Sequence, residues 1–326
     1  LFRIIRDLAA RGVAILYISH RLEELLTIAD AVTVLRDGRL AAEAATADVD
    51  RRWIVEQMTG RTDGTFETAT EARAGDKLVR VDGLSAVADS GRALVRNVTV
   101  RLAAGEIVGL YGLMGAGRTE LLECLMGLRA VSAGSVTLGG RRIDRLDAAG
   151  RIAAGMAMVP EDRQALGLTQ SMSVAANITL ASIGRFARFG WLRRGAEMGA
   201  AEDMAAQLRI KSAGLGRPVG SLSGGNQQKV VIAKCLLTGP RVLLLDEPTR
   251  GVDVGAKAEI HAIVRRLAER GIGILVASSE LEEVRAVAHR VVVMARGAVT
   301  AEFAAVDASD DALAAAATGV EGSAAA

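Results

Sequence analysis

The stretch IVGLYGLMGAGRTELL, residues 107 to 122, joins a short apolar run, a glycine-rich segment and the start of a helical pattern. The run IVGLY is apolar throughout, which is typical of a strand buried on both faces of a parallel sheet. Leu121, Leu122 and Leu125 follow at helical spacing. The stretch therefore predicts a strand, a tight turn and a helix in direct succession.

The turn matches the phosphate-loop pattern G-x-x-x-x-G-K-[ST], with one departure. Gly112, Gly115 and Gly117 let the backbone curl so that its N–H groups and the helix N-terminus face one anion. The hydroxyl of Thr119 is placed to bind Mg²⁺. Arg118 stands where lysine is expected, and its planar guanidinium keeps the charge but is wider than an ammonium. The pattern predicts phosphate binding with altered geometry.

A second motif, VLLLDEPT at residues 242 to 249, ends an apolar run with two carboxylates. Two carboxylates that only capped the strand would leave unpaired charge at the end of a buried strand, which is costly. A purely structural cap is therefore the less favoured interpretation. We expect Asp246 to bind Mg²⁺ directly or through water, and Glu247 to polarise an attacking water.

A third motif, LSGGNQQK at residues 222 to 229, opens a helix. Its Ser223, Gly224 and Gly225 leave backbone N–H groups free at the helix start, which favours a second anion.

Part of the chain is repeated. AILYISHRLEEL at residues 14 to 25 resembles GILVASSELEEV, which lies 259 residues later, and the register holds over about 60 residues. Each copy predicts a buried apolar run, a polar turn and a helix, but His20 of the first copy is replaced by Ser279 in the second. Such a match indicates a duplicated domain.

The repeat defines the expected domains. Residues 1–60 are expected to be the C-terminal remnant of a first domain, because the chain opens in the middle of a helical pattern. Residues 61–76 are small and polar, which predicts a linker. We expect residues 77–320 to form a complete second domain and residues 321–326 to form a tail. Apolar runs at 107–111, 156–159, 242–245, 274–277 and 291–294 alternate with helical patterns. This α/β alternation predicts a parallel sheet covered by helices.

Composition argues against several classes of protein and of site. The formal net charge is +2, so the overall balance gives no reason to expect nucleic acid. No apolar run approaches the roughly 18 residues of a membrane span. Cys124 and Cys235 lie far apart in apolar helical patterns and are expected to be reduced core thiols.

Taken together, the phosphate loop, LSGGNQQK, LLLDEPT and the position of Ser279 resemble the nucleotide-binding domains of ABC transporters. GLMGAGRTE (112–120), VPEDR (159–163) and DEPTRGVDVGAK (246–257) resemble the second domain of tandem ATPase subunits in bacterial importers of ribose, galactose or xylose type. The resemblance implies a P-loop NTPase fold with an antiparallel β subdomain and a helical subdomain at about residues 165–217. It also implies ATP and Mg²⁺ as ligands and a peripheral location on the cytoplasmic face of the membrane. The implied partners are permease subunits, an external sugar-binding protein and the subunit's own first domain.

In that family two domains sandwich two ATPs between them. By resemblance, Arg118, Thr119, Asp246, Glu247 and Ser279 belong to one site, which takes its LSGG helix from the first domain. Ser223, Gly224 and Gly225 complete the other site, together with His20. Glu161 falls near the family's usual loop glutamine. Because serine is too short to replace the switch histidine and Arg118 weakens the same site, we hypothesise that the site with His20 hydrolyses ATP and that the site with Ser279 mainly binds it.

Three alternatives stay open. A soluble tandem ABC protein without a permease is disfavoured, because the linker of about 16 residues carries no heptads. A non-catalytic nucleotide-binding regulator fits Ser279 but not His20. Within the importer interpretation, a nucleoside or a signalling sugar is an alternative to a ribose-like substrate.

Overall fold

The computed structural model describes residues 1–19, 22–36, 38–59 and 77–319. The chain divides into two compact units, residues 1–66 with 252–259 and residues 67–251 with 260–326. His20, the expected linker at 61–76 and the expected tail at 321–326 lie outside the described residues.

The first unit contains a small helical and hairpin structure. Its helices and strands are α1 Phe2–Ala10, α2 Leu22–Ile28, β1 Ala31–Arg36, β2 Arg39–Ala45 and α3 Arg51–Thr59. The strands β1 and β2 form an antiparallel hairpin. Leu22, Val32, Val34 and Ile54 form a separate small core.

The prediction that the apolar run of the first copy, residues 14–18, is buried is wrong. These residues adopt no regular structure, and Leu16 and Ile18 are 92% and 89% exposed. The equivalent run in the second copy is covered by a strand on each side. Among the described residues of 1–59, the two strands present pair with each other, so the run gains no such partners.

The second unit is built on a six-stranded sheet. Its strands are β5 Ile107–Tyr111, β8 Met156–Val159, β11 Val242–Asp246, β12 Gly273–Ser278, β13 Arg290–Ala295 and β14 Ala298–Ala304. The order is β14-β13-β5-β12-β11-β8, and only β14 is antiparallel to its neighbour. All five apolar runs predicted as parallel strands are confirmed.

A second, antiparallel sheet has the order β4-β3-β6-β7. Its strands are β3 Lys77–Val87, β4 Ala93–Ala103, β6 Ala133–Leu138 and β7 Arg141–Arg142. The helix α4, Arg118–Met126, buries Leu121, Leu122 and Leu125 in a core shared with both sheets.

The remaining α-helices and strands belong to the second unit, except that residues 254–259 of α9 belong to the first. They are α5 Ala148–Ala153, α6 Val174–Thr179, β9 Ala187–Arg188, β10 Trp191–Leu192, α7 Arg194–Gln207, α8 Gly224–Leu237, α9 Val254–Glu269, α10 Leu281–Val287 and α11 Asp310–Thr318. The helices α6, α7 and α8 pack together and form a helical layer next to β8.

A buried arginine closes the C-terminal end of α4. Arg151 of α5 is 1% exposed, and its guanidinium donates to the carbonyls of Cys124 and Leu125, the latter at 2.7 Å. It also donates to the carbonyl of Leu146 at 3.0 Å. The carbonyls of Cys124 and Leu125 lie in the last turn of α4, where a helix leaves its acceptors without an intrahelical donor, so Arg151 satisfies groups that burial would otherwise penalise.

Candidate active site

The glycine-rich loop lies between β5 and the N-terminus of α4, as the sequence predicts. Gly117 has a φ of +97°, and a Cβ atom there would lie 2.8 Å from the carbonyl oxygen of Leu94. A Cβ on Gly112 would lie 2.4 Å from the carbonyl oxygen of Met294. The close approach of neighbouring backbone therefore demands glycine at both positions.

The loop leaves N–H groups available for an anion. The first hydrogen bond of α4 runs from the N–H of Leu121 to the carbonyl of Gly117, so the N–H groups of residues 118 to 120 precede it. Gly115, with a φ of +79°, continues the curled backbone on the other side. The arrangement is that of a backbone phosphate cradle.

Asp246 ends β11 beside this loop. It is 1% exposed, and burial raises its pKa to about 6, while a hydrogen bond from Thr119 and the charge of Arg118 lower the pKa and the neighbouring Glu247 raises it. Among the described residues, its Oδ2 atom is buried without a hydrogen-bond partner. The Thr119 hydroxyl and the unpaired carboxylate oxygen are the hard ligands that Mg²⁺ prefers.

Glu247 is the point at which several predicted residues meet. Its Oε1 lies 3.1 Å from Nη2 of Arg118 and accepts the backbone N–H of Ser279 at 2.8 Å. Its Oε2 accepts the hydroxyl of Ser278 at 3.4 Å. The side chains of Arg118 and Glu247 are only 10% and 11% exposed, so the ion pair is largely shielded from water.

The backbone at Glu247 is bent to make these contacts. Its φ is +45°, and its N–H donates to the carbonyl of Ala277 on the neighbouring strand at 2.9 Å. A positive φ is unfavourable for a residue with a Cβ and is concentrated at functional sites.

Behind Glu247 lies a buried acid that the sequence analysis missed. Glu283 is 4% exposed and accepts hydrogen bonds from Ser278 and from the Thr249 hydroxyl, the latter at 2.7 Å. Burial alone would raise its pKa, but interactions with His261, Ser278 and Thr249 outweigh burial and lower it. Nε2 of His261 lies 3.6 Å from the Glu283 carboxylate. The signal was present as the Leu-Glu-Glu triplet that both copies of the repeat contain.

The LSGG segment lies on a different element. Ser223 precedes α8, and the first hydrogen bond of the helix joins the N–H of Gln227 to the carbonyl of Ser223 at 2.9 Å. The N–H groups of Gly224 and Gly225 precede this bond and have no acceptor within the helix. Within the described ranges, no hydrogen bond or ion pair joins residues 223–225 to the phosphate loop.

Among the other expected site residues, only the position of Glu161 is described. Glu161 forms an ion pair with the Arg250 side chain. His20 lies outside the described residues, so its role stays a prediction. No cluster of three or more His, Cys, Asp or Glu side chains suited to a metal ion occurs in the described part of the chain.

Comparison with protein families adds an independent observation. A family model described as ABC transporter matches residues 95–250, which include the phosphate loop, the LSGG segment and the Asp246–Glu247 pair. Residues 95–250 therefore match the ABC transporter family. The P-loop NTPase fold expected from the sequence is thereby confirmed.

Relatives that are similar over nearly the whole chain carry the name of an import ATP-binding protein. The chain is 44% identical over 326 residues to the ribose import ATP-binding protein RbsA 2 of Rubrobacter xylanophilus, covering 100% of this chain and 62% of that protein. It is also 44% identical over 319 residues to the protein of the same name from Streptomyces avermitilis, covering 98% of this chain and 62% of that protein. The chain thus spans about three fifths of these relatives.

A solved ATP-binding cassette, described as a dimer in a post-hydrolysis state bound to ADP and Pi, shares the fold. Its TM-score is 0.63 at 21% identity, covering 70% of this chain and 99% of that one. Among the described residues of the chain, no helix is both long and apolar enough to cross a membrane.

Proposed function

We propose that this chain is part of an ATP-hydrolysing subunit that energises import of a monosaccharide through a membrane permease. One observation carries the proposal: a phosphate loop and an Asp-Glu pair meet at the carboxyl ends of two inner strands, in a chain 44% identical to ribose import ATP-binding proteins. Because the chain spans 62% of such a relative, we assign residues 1–60 to a first nucleotide-binding domain and residues 77–320 to a second.

In the second domain, the N–H groups of the phosphate loop would bind the triphosphate, and Arg118 would neutralise its charge. Asp246 and Thr119 would hold Mg²⁺, which supplies further charge neutralisation on the phosphate oxygens. The buried, unpartnered Oδ2 of Asp246 supports this assignment, because a bound cation would compensate the cost of burying it.

The second-domain site is proposed to bind ATP more than it hydrolyses it. A general base must accept a proton from water, but Glu247 is occupied by Arg118 and by the N–H of Ser279. Ser279 stands in place of the switch histidine and has no imidazole that could contact the terminal phosphate and the attacking water. We therefore assign hydrolysis to the site that combines His20 with Ser223, Gly224 and Gly225 of the second domain, and Glu247 to the weaker site.

The proposed partners follow from the same assignment. The subunit would dock on permease subunits at the cytoplasmic face of the membrane, with a sugar-binding protein delivering substrate on the other side. The choice of sugar belongs to those partners, so the ATPase chain sets only the energy supply.

The test is ATP turnover by the full-length subunit, comparing wild type with His20→Ala and with the double substitution Arg118→Lys, Ser279→His. We expect His20→Ala to lower turnover by about a hundredfold, since a preorganised donor to the transition state is lost. The double substitution should raise turnover, because it restores the charge geometry and the imidazole. Unchanged turnover in His20→Ala would refute the division of labour.

A further inference from the structure

We propose that Arg163 is a positioning residue that holds the LSGG end of α8 in place for ATP hydrolysis at the site completed by the first domain. This inference rests on the proposed function, in which residues 223–225 face a nucleotide bound to that domain. Arg163 belongs to the VPEDR motif, for which the proposed chemistry gives no role.

The guanidinium of Arg163 connects two motifs that are far apart in sequence. Its Nη1 donates to the carbonyl of Arg250 at 2.6 Å, and its Nη2 donates to the carbonyl of Gly251 at 3.0 Å. These carbonyls follow the Asp246–Glu247 pair by only a few residues. The two parallel donors of one planar group fix both the position and the orientation of this turn.

The same guanidinium packs against the first residue of α8. A Cβ atom on Gly224 would lie 2.8 Å from Nη2 of Arg163 and 2.9 Å from the carbonyl oxygen of Gly251. Helix start, turn and guanidinium are thus in direct contact, which accounts for glycine at position 224. A shift of the guanidinium therefore displaces the LSGG segment or the 250–251 turn.

The segment around Arg163 is itself held firmly. The Asp162 carboxylate accepts the N–H groups of Gln164 at 2.9 Å and Ala165 at 3.0 Å, and Glu161 pairs with Arg250. Ten residues beyond Gly224 along α8, Lys234 donates to the carbonyl of Gly167. Residues 161–167 are therefore joined to α8 at two points, so that Arg163 acts from a rigid base.

If Arg163 only stabilised the 250–251 turn, its substitution would have a different effect from that expected of a positioning residue. Loss of a structural hydrogen bond lowers the melting temperature wherever it occurs. Displacement of the LSGG segment also weakens contacts to the nucleotide and misaligns the reacting groups, which lowers kcat and raises KM. The two kinetic constants and the melting temperature together separate these roles.

The experiment uses the full-length subunit with Arg163→Gln and Arg163→Lys. Arg265 provides a matched control, because its guanidinium also donates to a main-chain carbonyl, that of Ala286, at 2.7 Å. We expect Arg163→Gln to lower kcat/KM for ATP by about tenfold or more, and Arg163→Lys to retain part of it because one donor and the charge remain. Arg265→Gln should stay within about twofold of wild type.

Hydrogen exchange of residues 222–230 without nucleotide gives a readout independent of activity. Exchange should rise in Arg163→Gln and not in Arg265→Gln. If the two glutamine variants show equal kcat/KM, or if exchange at 222–230 is unchanged, the positioning role is refuted. His20→Ala, measured in parallel, tests the proposed function separately, because retained turnover there overturns the site assignment whatever Arg163 does.

Discussion

The ion pair between Arg118 and Glu247 should compete with nucleotide for the arginine. The guanidinium lies 3.1 Å from Oε1 of Glu247, and both side chains are about nine-tenths buried. Arg118 occupies the position at which a phosphate loop presents its cation to phosphate. ATP must therefore draw Arg118 away from Glu247, and the affinity of the site is reduced by the free energy of the pair.

The magnitude follows from the geometry. At 3.1 Å and an effective dielectric constant of about 20, the Coulomb attraction is about 5 kcal/mol. Desolvation of the two charges cancels most of it, leaving a net free energy of about 1 to 2 kcal/mol. Removing the competing charge with Glu247→Gln should therefore tighten nucleotide binding by about tenfold. The amide oxygen still accepts the N–H of Ser279, so the local fold is kept.

The assay is equilibrium binding of a non-hydrolysable ATP analogue, so that loss of hydrolysis cannot imitate higher affinity. Glu247→Gln also removes repulsion between the carboxylate and the phosphate, and this part of the gain should persist when Arg118→Ala is added. The part due to the ion pair should disappear in that background, giving a coupling free energy of about 1 kcal/mol or more in a double-mutant cycle. Equal gains in both backgrounds would refute competition for Arg118.

Three further outcomes follow from the described contacts. Gly117→Ala should abolish nucleotide binding while leaving the thermal melting cooperative, because a φ of +97° and the nearby Leu94 carbonyl force the phosphate loop to shift; unchanged affinity would contradict the cradle. Arg151→Met should lower the free energy of unfolding by about 3 kcal/mol or more in urea titrations, since several buried carbonyls lose their donor; a loss below about 1 kcal/mol would contradict the cap. Burial lowers the pKa of His289, whose Nδ1 accepts the N–H of Ile107 at 2.8 Å. The fold therefore favours the neutral imidazole, so the contribution of His289 to stability should be complete above pH 6.5 and decrease as the pH falls below 6.5. In thermal melts between pH 7 and 5, His289→Gln should reduce the dependence of the melting temperature on pH.

The sequence predicted those features that depend on local pattern. The five buried parallel strands and the strand-loop-helix around Gly112 follow from short apolar runs and glycine spacing, and the structure contains them all. The run at 14–18 has the same pattern but no strand, because burial of such a run depends on neighbouring strands and not on its own residues.

The interactions that give the site its properties could not be predicted in this way. The pairing of Arg118 with Glu247 and the bidentate contact of Arg163 with Arg250 and Gly251 join segments about 90 residues or more apart. A motif identifies a residue type that suits a ligand. It does not show which other side chain of the chain pairs with that residue.

The left-handed backbone at Glu247 implies a conflict between folding and function. An L-residue with a side chain adopts a φ of +45° at a cost of about 1 to 3 kcal/mol, whereas glycine adopts it freely. In Glu247→Gly the relief of this strain is offset by the loss of the ion pair with Arg118 and of the acceptor for the Ser279 N–H. The substitution deletes the carboxylate with a small net change in thermal stability, so the melting temperature is a misleading guide to engineering this strand end.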